Sequence, residues 1–172
     1  TGYATRGRSL KRSGDASAGG FLSAALAALV GAIGGGLRPP GLFDIPLDFD
    51  SLREAAGDLS SGTIEVLSDG DCVPDKVRDC LAFSVSQSCG KCVPDRLGTR
   101  RLHEIVVRIC HGEAAADDMM LARELAEDIA AGSLCGLGRG AVKPLLSAPK
   151  FFPAAFRQHG LEGHCAAGSC AT

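Results

Sequence analysis

Cysteine spacing is the feature that most constrains what this chain can form. Cys89 and Cys92 are separated by two residues, and the next position at the same spacing holds Asp95. Cys135 follows much later in the sequence. A [4Fe–4S] cluster takes four anionic ligands, often three from one tight loop and a fourth from a distant segment. The spacing therefore predicts an iron–sulfur site in which aspartate replaces one cysteine.

Small residues surround these candidate ligands. Ser88 and Gly90 flank Cys89, and Gly136 and Gly138 follow Cys135. Glycine lets backbone N–H groups approach the inorganic sulfurs of a cluster, because it has no side chain to keep them apart. A single Cys-x-x-Cys pair would be a weak signal, but the complete pattern is more specific.

Asp95 has two interpretations. The tetrapeptide Cys-Val-Pro-Asp occurs twice, at Cys72–Asp75 and at Cys92–Asp95. Proline at the first helical position and aspartate in the first turn are typical of a helix start. Asp95 is therefore either an iron ligand or an acid that begins a helix, and both interpretations stay open. An oxygen ligand would favour loss of ferrous iron, which leaves a [3Fe–4S] form.

Composition excludes several classes of protein. The chain has 172 residues, of which 45% are hydrophobic and 22% charged, and such values are typical of a globular protein. A net charge of -2 gives no reason to expect nucleic acid. The apolar run 21–33 is too short to cross a bilayer, so we expect no direct membrane insertion. Eight cysteines without an intact secretory signal favour metal ligation in a reducing, cytoplasmic compartment.

The pattern divides the chain into four segments and predicts an α+β fold. Residues 1–20 are basic and weakly patterned, so a flexible arm is expected. Residues 21–71 predict a small α+β domain, and 72–158 a helical bundle with ligands in its loops. Residues 159–172 form a tail rich in cysteine and histidine.

Short sequence patterns predict the positions of individual helices and strands. Residues 21–33 predict a helix, Ser51 to Ala56 a short helical turn and Thr63 to Leu67 a strand. Apolar residues at helical spacing then predict four helices between 73 and 158. Pro149 and Pro153 are expected to break or kink the fourth.

The tail holds a second candidate metal site. His159, Cys165 and Cys170 lie within a short stretch, and a tetrahedral zinc ion needs one more ligand. Cys72 begins the first bundle helix and lies outside the cluster motif, so it is the best candidate. His164 is an alternative to His159. The other interpretation is a loose tail with unused cysteines.

The two cysteine loops carry a family resemblance. Residues Ser88–Pro94 with Gly98–Thr99, and Gly132–Gly138, resemble the NADH-binding flavoprotein subunit of respiratory complex I. They also resemble its relatives in NAD-linked formate dehydrogenases and electron-bifurcating hydrogenases. Upstream, Leu42–Leu52 and Ser61–Cys72 resemble the ubiquitin-like (SLBB) segment of that family. The resemblance covers about residues 35–160.

The resemblance implies a fold, a cofactor and a role. It implies a small β-grasp-like (SLBB) domain followed by a four-helix bundle holding a [4Fe–4S] cluster, which relays electrons between flavin and other clusters. Cys89, Cys92 and Cys135 occupy family ligand positions, whereas Asp95 departs from the family pattern. The stretch Cys165–Cys170 resembles a Cys-x-Ala-Gly-x-Cys segment of the bifurcating relatives.

The family's flavin and NADH site requires a glycine-rich phosphate loop. The candidates Gly34–Gly36 and Gly136–Gly140 lack the strand-to-helix context of such a loop, the first because it follows the predicted helix. We therefore expect an electron-transfer module of a multisubunit NAD(P)-linked oxidoreductase, not catalytic alone. FMN and NADH would bind a flavin-bearing partner, beside other iron–sulfur subunits. The alternatives are a structural or assembly subunit without a cluster, and a zinc-only interaction module.

Overall fold

A three-stranded antiparallel sheet forms the first part of the fold. The computed structural model describes residues 8–17, 25–54 and 58–170. Strands β1 (Ala25–Val30), β2 (Gly36–Arg38) and β3 (Ile64–Ser68) are arranged in the order β2-β1-β3. In the register of β1, Leu29 pairs with Leu37 on one side and with Glu65 on the other. The strand predicted at Thr63 to Leu67 is therefore confirmed as β3.

The prediction of a helix over residues 21–33 is wrong for the part that the structure describes, because residues 25–30 form the central strand of the sheet. The last four residues of β1 are buried, since β1 has a neighbouring strand on each side. A short apolar run of this kind cannot be told from a buried helix by periodicity. Gly34–Gly36 accordingly follow a strand rather than the predicted helix. They lead into β2, so a strand-to-helix phosphate loop is still not formed there.

Two short helices pack on one side of this sheet. Helix α1 (Leu10–Ser17) and helix α2 (Phe49–Glu54) surround a small apolar core to which β1 also contributes. The core residues are Leu10, Ala28, Val30, Phe43, Leu47 and Leu52. The flexible arm predicted for 1–20 is thus wrong for 10–17, because burial of Leu10 anchors a helix there. Residues 1–7 and 18–20 lie outside the described residues. The short helical turn predicted from Ser51 to Ala56 is confirmed as far as Glu54, and residues 55–56 also lie outside the described residues.

The second half of the fold is helical. Its longer helices are α3 (Val73–Gln87), α4 (Arg100–Cys110) and α5 (Asp118–Gly132). They are followed by α6 (Gly136–Ala141), α7 (Lys143–Phe151) and α8 (Pro153–Glu162). The break between α7 and α8 lies at Phe152, before Pro153, as predicted, whereas Pro149 lies inside α7 and does not end that helix. No helix in the described part of the chain is long and apolar enough to span a membrane.

The sheet and the helices share one apolar core. Leu29 and Leu37 of the sheet lie in the same cluster as Leu81, Ile105 and Ile129 of the helices. A direct polar link reinforces this packing, since the backbone N–H of Leu37 donates to Ser147 Oγ on α7 at 2.9 Å. The two loops that carry the predicted cluster ligands follow α3 and α5, so they lie at the edge of a rigid helical core.

Candidate metal centres

The first candidate centre begins in the connection between α3 and α4. After α3 ends at Gln87, Cys89 and Cys92 lie in a loop that precedes a π-helical turn over Pro94–Thr99. Gly90 has a φ of 71°, a left-handed conformation that glycine adopts without strain. Cys89 is exposed and Cys92 is partly buried. Short π-helical segments are frequent at functional sites, and this one holds the third ligand position of the motif.

The loop before α6 meets this connection. Cys135 caps the start of α6 and is exposed, and the chain then turns back against the first loop. A Cβ atom on Gly138 would lie 2.6 Å from Ser133 Oγ and 3.1 Å from Asp95 Cβ. The absence of a side chain at Gly138 therefore allows the two cysteine loops to come together.

Asp95 lies at the point where the two loops meet. It is 1% exposed, and its Oδ2 accepts a hydrogen bond from the hydroxyl of Ser88. Its Oδ1 lies 3.4 Å from Thr99 Oγ1, which can donate a second, weaker hydrogen bond. The carboxylate is thus held by two hydroxyl groups, one of them adjacent to Cys89.

The donor set of the first centre fits an iron–sulfur cluster. It offers three thiols that can ligate iron, and the buried hydroxyl of Ser133, which has no hydrogen-bond partner in the described structure, can donate to a sulfide. Within the described ranges, the sulfur atoms of Cys89, Cys92 and Cys135 do not all lie within 4.8 Å of one another. These three described residues therefore form no compact site for a single ion.

A second candidate centre joins the tail to the start of α3. The structure brings together Cys72, His159, Cys165 and Cys170, all buried, with their ligand atoms within 4.8 Å of one another. Cys72 Sγ lies 3.2 Å from His159 Nε2 and 3.3 Å from Cys170 Sγ. His159 Nε2 also lies 3.4 Å from Cys170 Sγ. These are the four residues that were predicted from the sequence to form a zinc site.

The orientation of His159 suits metal ligation. Its Nδ1 lies 2.8 Å from the carbonyl oxygen of Ala155, and a carbonyl can only accept, so Nδ1 carries the proton. In the neutral ring Nε2 then has a free lone pair directed at the thiols. His164, the alternative, is exposed and outside the group. The structure therefore favours His159 of the two histidines.

The pKa values of the thiols differ within this second group. Burial raises the pKa of Cys165, but hydrogen bonds from the backbone N–H groups of Cys170 and Ser169, and from neighbouring side chains, lower it to about 6. Burial raises the pKa of Cys170 to about 11 and also raises the pKa of Cys72. The group therefore combines one thiolate at neutral pH with two thiols that a metal ion could deprotonate.

Two further residues lie beside this group, and their proximity was not predicted. Asp75 and Cys110 form a second set with Cys170, in which the ligand atoms again lie within 4.8 Å. Cys110 is buried in the helical core, at 1% exposed. The sequence shows only that Cys110 lies on an apolar helix face. Its proximity to the tail could not be predicted, because helical periodicity carries no information about a distant segment.

Comparison with known proteins identifies the helical half. Residues 75–159 match the model of the NADH-ubiquinone oxidoreductase-F iron-sulfur binding region. This part of the chain belongs to that family. The iron–sulfur binding region contains all four candidate ligands of the first centre, whereas Cys72, Cys165 and Cys170 of the second centre lie outside it. The predicted resemblance and the 4Fe–4S type of cofactor are thereby confirmed, while the ligating residues stay predictions.

Relatives extend the similarity beyond the iron–sulfur binding region. The chain is 34% identical to the NADP-reducing hydrogenase subunit HndC of Solidesulfovibrio fructosivorans, over 81% of this chain and 28% of that protein. It is 33% identical to a subunit of the NADH-quinone oxidoreductase of Mycobacterium tuberculosis, over 71% of this chain and 27% of that protein. The chain thus spans a little over a quarter of the length of these relatives.

A solved structure confirms the fold. The structure of an NAD+-reducing [NiFe]-hydrogenase in the H2-reduced state superposes with a TM-score of 0.79 and 24% identity. The superposition covers 90% of this chain and 26% of the hydrogenase chain. It therefore extends beyond residues 75–159.

Proposed function

We propose that this chain is the electron-transfer iron–sulfur module of a multisubunit NAD(P)-linked oxidoreductase. The observation that carries the proposal is the meeting of the two cysteine loops at Asp95 and Gly138, inside the iron–sulfur binding region. In this proposal the loop pair brings thiols from distant parts of the chain to one site. The relatives, named as hydrogenase and quinone oxidoreductase subunits, support a role within a larger complex.

In this proposal Cys89, Cys92 and Cys135 hold the cluster. A [4Fe–4S] cluster takes up and releases single electrons when bound, and its potential depends on hydrogen bonds to sulfur and on burial. The chain contributes the unpartnered Ser133 hydroxyl as a donor toward such a cluster. A [3Fe–4S] form is the alternative state if the fourth iron is lost.

The finer architecture supports the same role. We assign 21–71 as the SLBB-like domain, of β-grasp type, and 72–158 as a four-helix bundle in which α3, α4, α5 and the α7–α8 pair are the helices. The antiparallel sheet with helices against it is consistent with this assignment. The eight cysteines are all free thiols, which is compatible with a reducing, cytoplasmic compartment.

Exposed apolar side chains border the first centre and suit a partner subunit. Val93 is 58% exposed, Leu97 56% and Leu134 71%, and each is within a few residues of a candidate ligand. We propose that a flavin-bearing or iron–sulfur subunit docks here, because electrons must pass between carriers that lie close together. FMN and NADH would then bind the partner, and the isolated chain would not oxidise NADH.

Metal analysis of the anaerobically purified full chain tests the proposal. We expect about four iron and four sulfide per chain with broad visible absorbance, and loss of all three in Cys89→Ser/Cys135→Ser. Cys80→Ala is the matched control, because Cys80 is a buried thiol outside both centres. A folded wild-type chain without iron and sulfide would instead support the structural or assembly role.

A second metal is favoured by the geometry of the tail. We propose that Cys72, His159, Cys165 and Cys170 hold a structural zinc ion, since three thiols and one imidazole form a common closed site. The four ligand atoms already lie within 4.8 Å of one another, as described above. His159→Ala should lower zinc from about one per chain to near zero. His164→Ala should leave it unchanged, and equal zinc in both variants would contradict this assignment.

A further inference from the structure

Two aspartates in the same tetrapeptide have different environments. Asp75 and Asp95 each end a Cys-Val-Pro-Asp segment at the start of a helical turn. Asp75 is partly exposed and forms an ion pair with Arg78, with an N–O distance of 2.6 Å. Asp95 is almost completely buried, and the described structure places no basic side chain within 4.0 Å of its carboxylate. The same tetrapeptide thus gives a partly solvated helix-start aspartate at Asp75 but not at Asp95.

The hydrogen bonds of Asp95 do not fit a helix-start acid either. Its carboxylate accepts from the hydroxyls of Ser88 and Thr99, and the structure shows no backbone N–H of the helical turn donating to it among the described contacts. Two neutral hydroxyls stabilise a carboxylate only partly. Burial of a charge is costly unless the charge is paired or coordinates a metal, so this carboxylate needs a positive partner.

The position of Asp95 identifies that partner. Its side chain lies between the loop of Cys89 and Cys92 and the loop of Cys135, against Gly138 and near the unpartnered hydroxyl of Ser133. This is where the proposed cluster would be held. A cationic iron centre there would supply the counter-charge that the protein itself does not provide.

We infer that Asp95 is the fourth protein ligand of the cluster, which it binds through a carboxylate oxygen; this inference rests on the proposed function. Ser88 and Thr99 are positioning residues, since their hydroxyls fix the carboxylate between the loops. One iron would then have an oxygen ligand and the other three a thiolate. Iron held by oxygen dissociates more readily from a thiolate-based cluster than iron held by sulfur.

The expected chemistry is selective loss of one iron. Release of one Fe²⁺ from the oxidised [4Fe–4S]²⁺ form leaves [3Fe–4S]⁰, which conserves charge without any other reactant. Added ferricyanide then accepts one electron and gives [3Fe–4S]⁺, which electron paramagnetic resonance (EPR) detects. The cluster of this chain should therefore convert between a four-iron and a three-iron form in an Asp95-dependent manner.

The test compares the wild-type full chain with three variants, all purified anaerobically and treated with ferricyanide and a chelator. The wild type should lose one iron of about four and develop the [3Fe–4S] EPR signal. Asp95→Cys should keep all four irons at least tenfold longer. Asp95→Asn, which preserves the side-chain shape, should contain about three irons before treatment. Asp69→Asn, the matched control at an exposed aspartate outside both candidate centres, should behave as the wild type does.

The outcomes separate this inference from the proposed function. If the wild type binds a cluster through its cysteines but Asp95→Asn and Asp95→Cys lose iron at the wild-type rate, Asp95 is not a ligand and only this inference fails. If the wild type has no iron or sulfide while the Cys89→Ser/Cys135→Ser variant folds equally well, the proposed function fails as well. Circular dichroism of each variant verifies that the chain is folded.

Discussion

His159 Nε2 lies 3.2 Å from Cys72 Sγ, although 87 residues separate the two in sequence. The contact joins the last turn of α8 to the residue that caps α3, so the helical half is closed by its own ends. Cys165 and Cys170 complete the group from the tail. Because this contact joins the two ends of the helical half, the stability of the helices depends on these four side chains. Loss of the group should therefore measurably lower the stability of the fold.

Removal of the zinc ion that we propose for the tail should destabilise the fold. Because a structural metal site contributes its binding energy to folding, chelation or His159→Ala should lower the melting temperature on the order of 10 °C. Thermal unfolding followed by circular dichroism measures this shift. His164→Ala provides the control, since that side chain is exposed, and a chelator-insensitive melting temperature would oppose a structural metal.

Gly138 should be essential for assembly of the first centre. Gly138→Ala would place a Cβ 2.6 Å from Ser133 Oγ and 3.1 Å from Asp95 Cβ, so both Ser133 and Asp95 would have to move away from residue 138. We expect iron content to fall at least threefold. Gly136→Ala in the same loop should retain iron, because no atom lies within 4 Å of its Cβ position. Similar iron content in both variants would contradict the close approach of the loops.

Ser147 should couple the sheet to the helices. Its hydroxyl accepts from the N–H of Leu37 in β2, so Ser147→Ala leaves a buried donor unpaired, at a cost of about 1–3 kcal/mol. Ser84→Ala is the control, since Ser84 Oγ only donates to the Cys80 carbonyl within its own helix. Urea unfolding should show a clearly larger loss for Ser147→Ala, and equal losses would argue against this coupling.

The Asp118–Arg108 ion pair should make stability depend on pH. Hydrogen bonds from Arg108, at 2.7 Å for the closer nitrogen, hold the pKa of Asp118 below its ordinary 3.8. A lowered carboxyl pKa stabilises the fold above the ordinary value, and this contribution disappears as pH falls through the lower one. Asp118→Asn should therefore cost about 2 kcal/mol at pH 7 and less near pH 2.

An exposed ion pair gives the comparison for that measurement. Arg101 and Glu104 are 3.0 Å apart but about half exposed, so solvent screens their attraction. Glu104→Gln should change the free energy of unfolding by no more than about 0.5 kcal/mol. Urea unfolding across the pH range measures both variants, and equal effects at pH 7 would show that burial does not strengthen the Asp118 pair.

The helical half could be predicted because its signals are local. Apolar periodicity places α3, α4 and α5, and Pro153 places the break before α8. The proximity of Cys72 to His159 could be predicted on the expectation of an up-and-down bundle with an even number of helices, because the two ends of such a bundle lie together. Ligand spacing within one loop is likewise a local property.

Features that depend on distant neighbours could not be predicted. The apolar run 25–30 is a strand because β2 and β3 flank it, and nothing in its own residues distinguishes it from a helix. Residues 10–17 are helical because Leu10 reaches a core formed by later segments. Asp75 and Asp95 share a tetrapeptide, so their different burial arises only from the loop that approaches Asp95.

The most direct test of an electron-transfer role is an anaerobic titration of the full chain with dithionite, followed by visible absorbance. We predict a broad visible absorbance that bleaches with about one electron per chain and returns on reoxidation. The variant Cys89→Ser/Cys135→Ser should show neither change. A folded wild-type chain that has no visible absorbance, or whose absorbance does not respond to dithionite, would contradict that role.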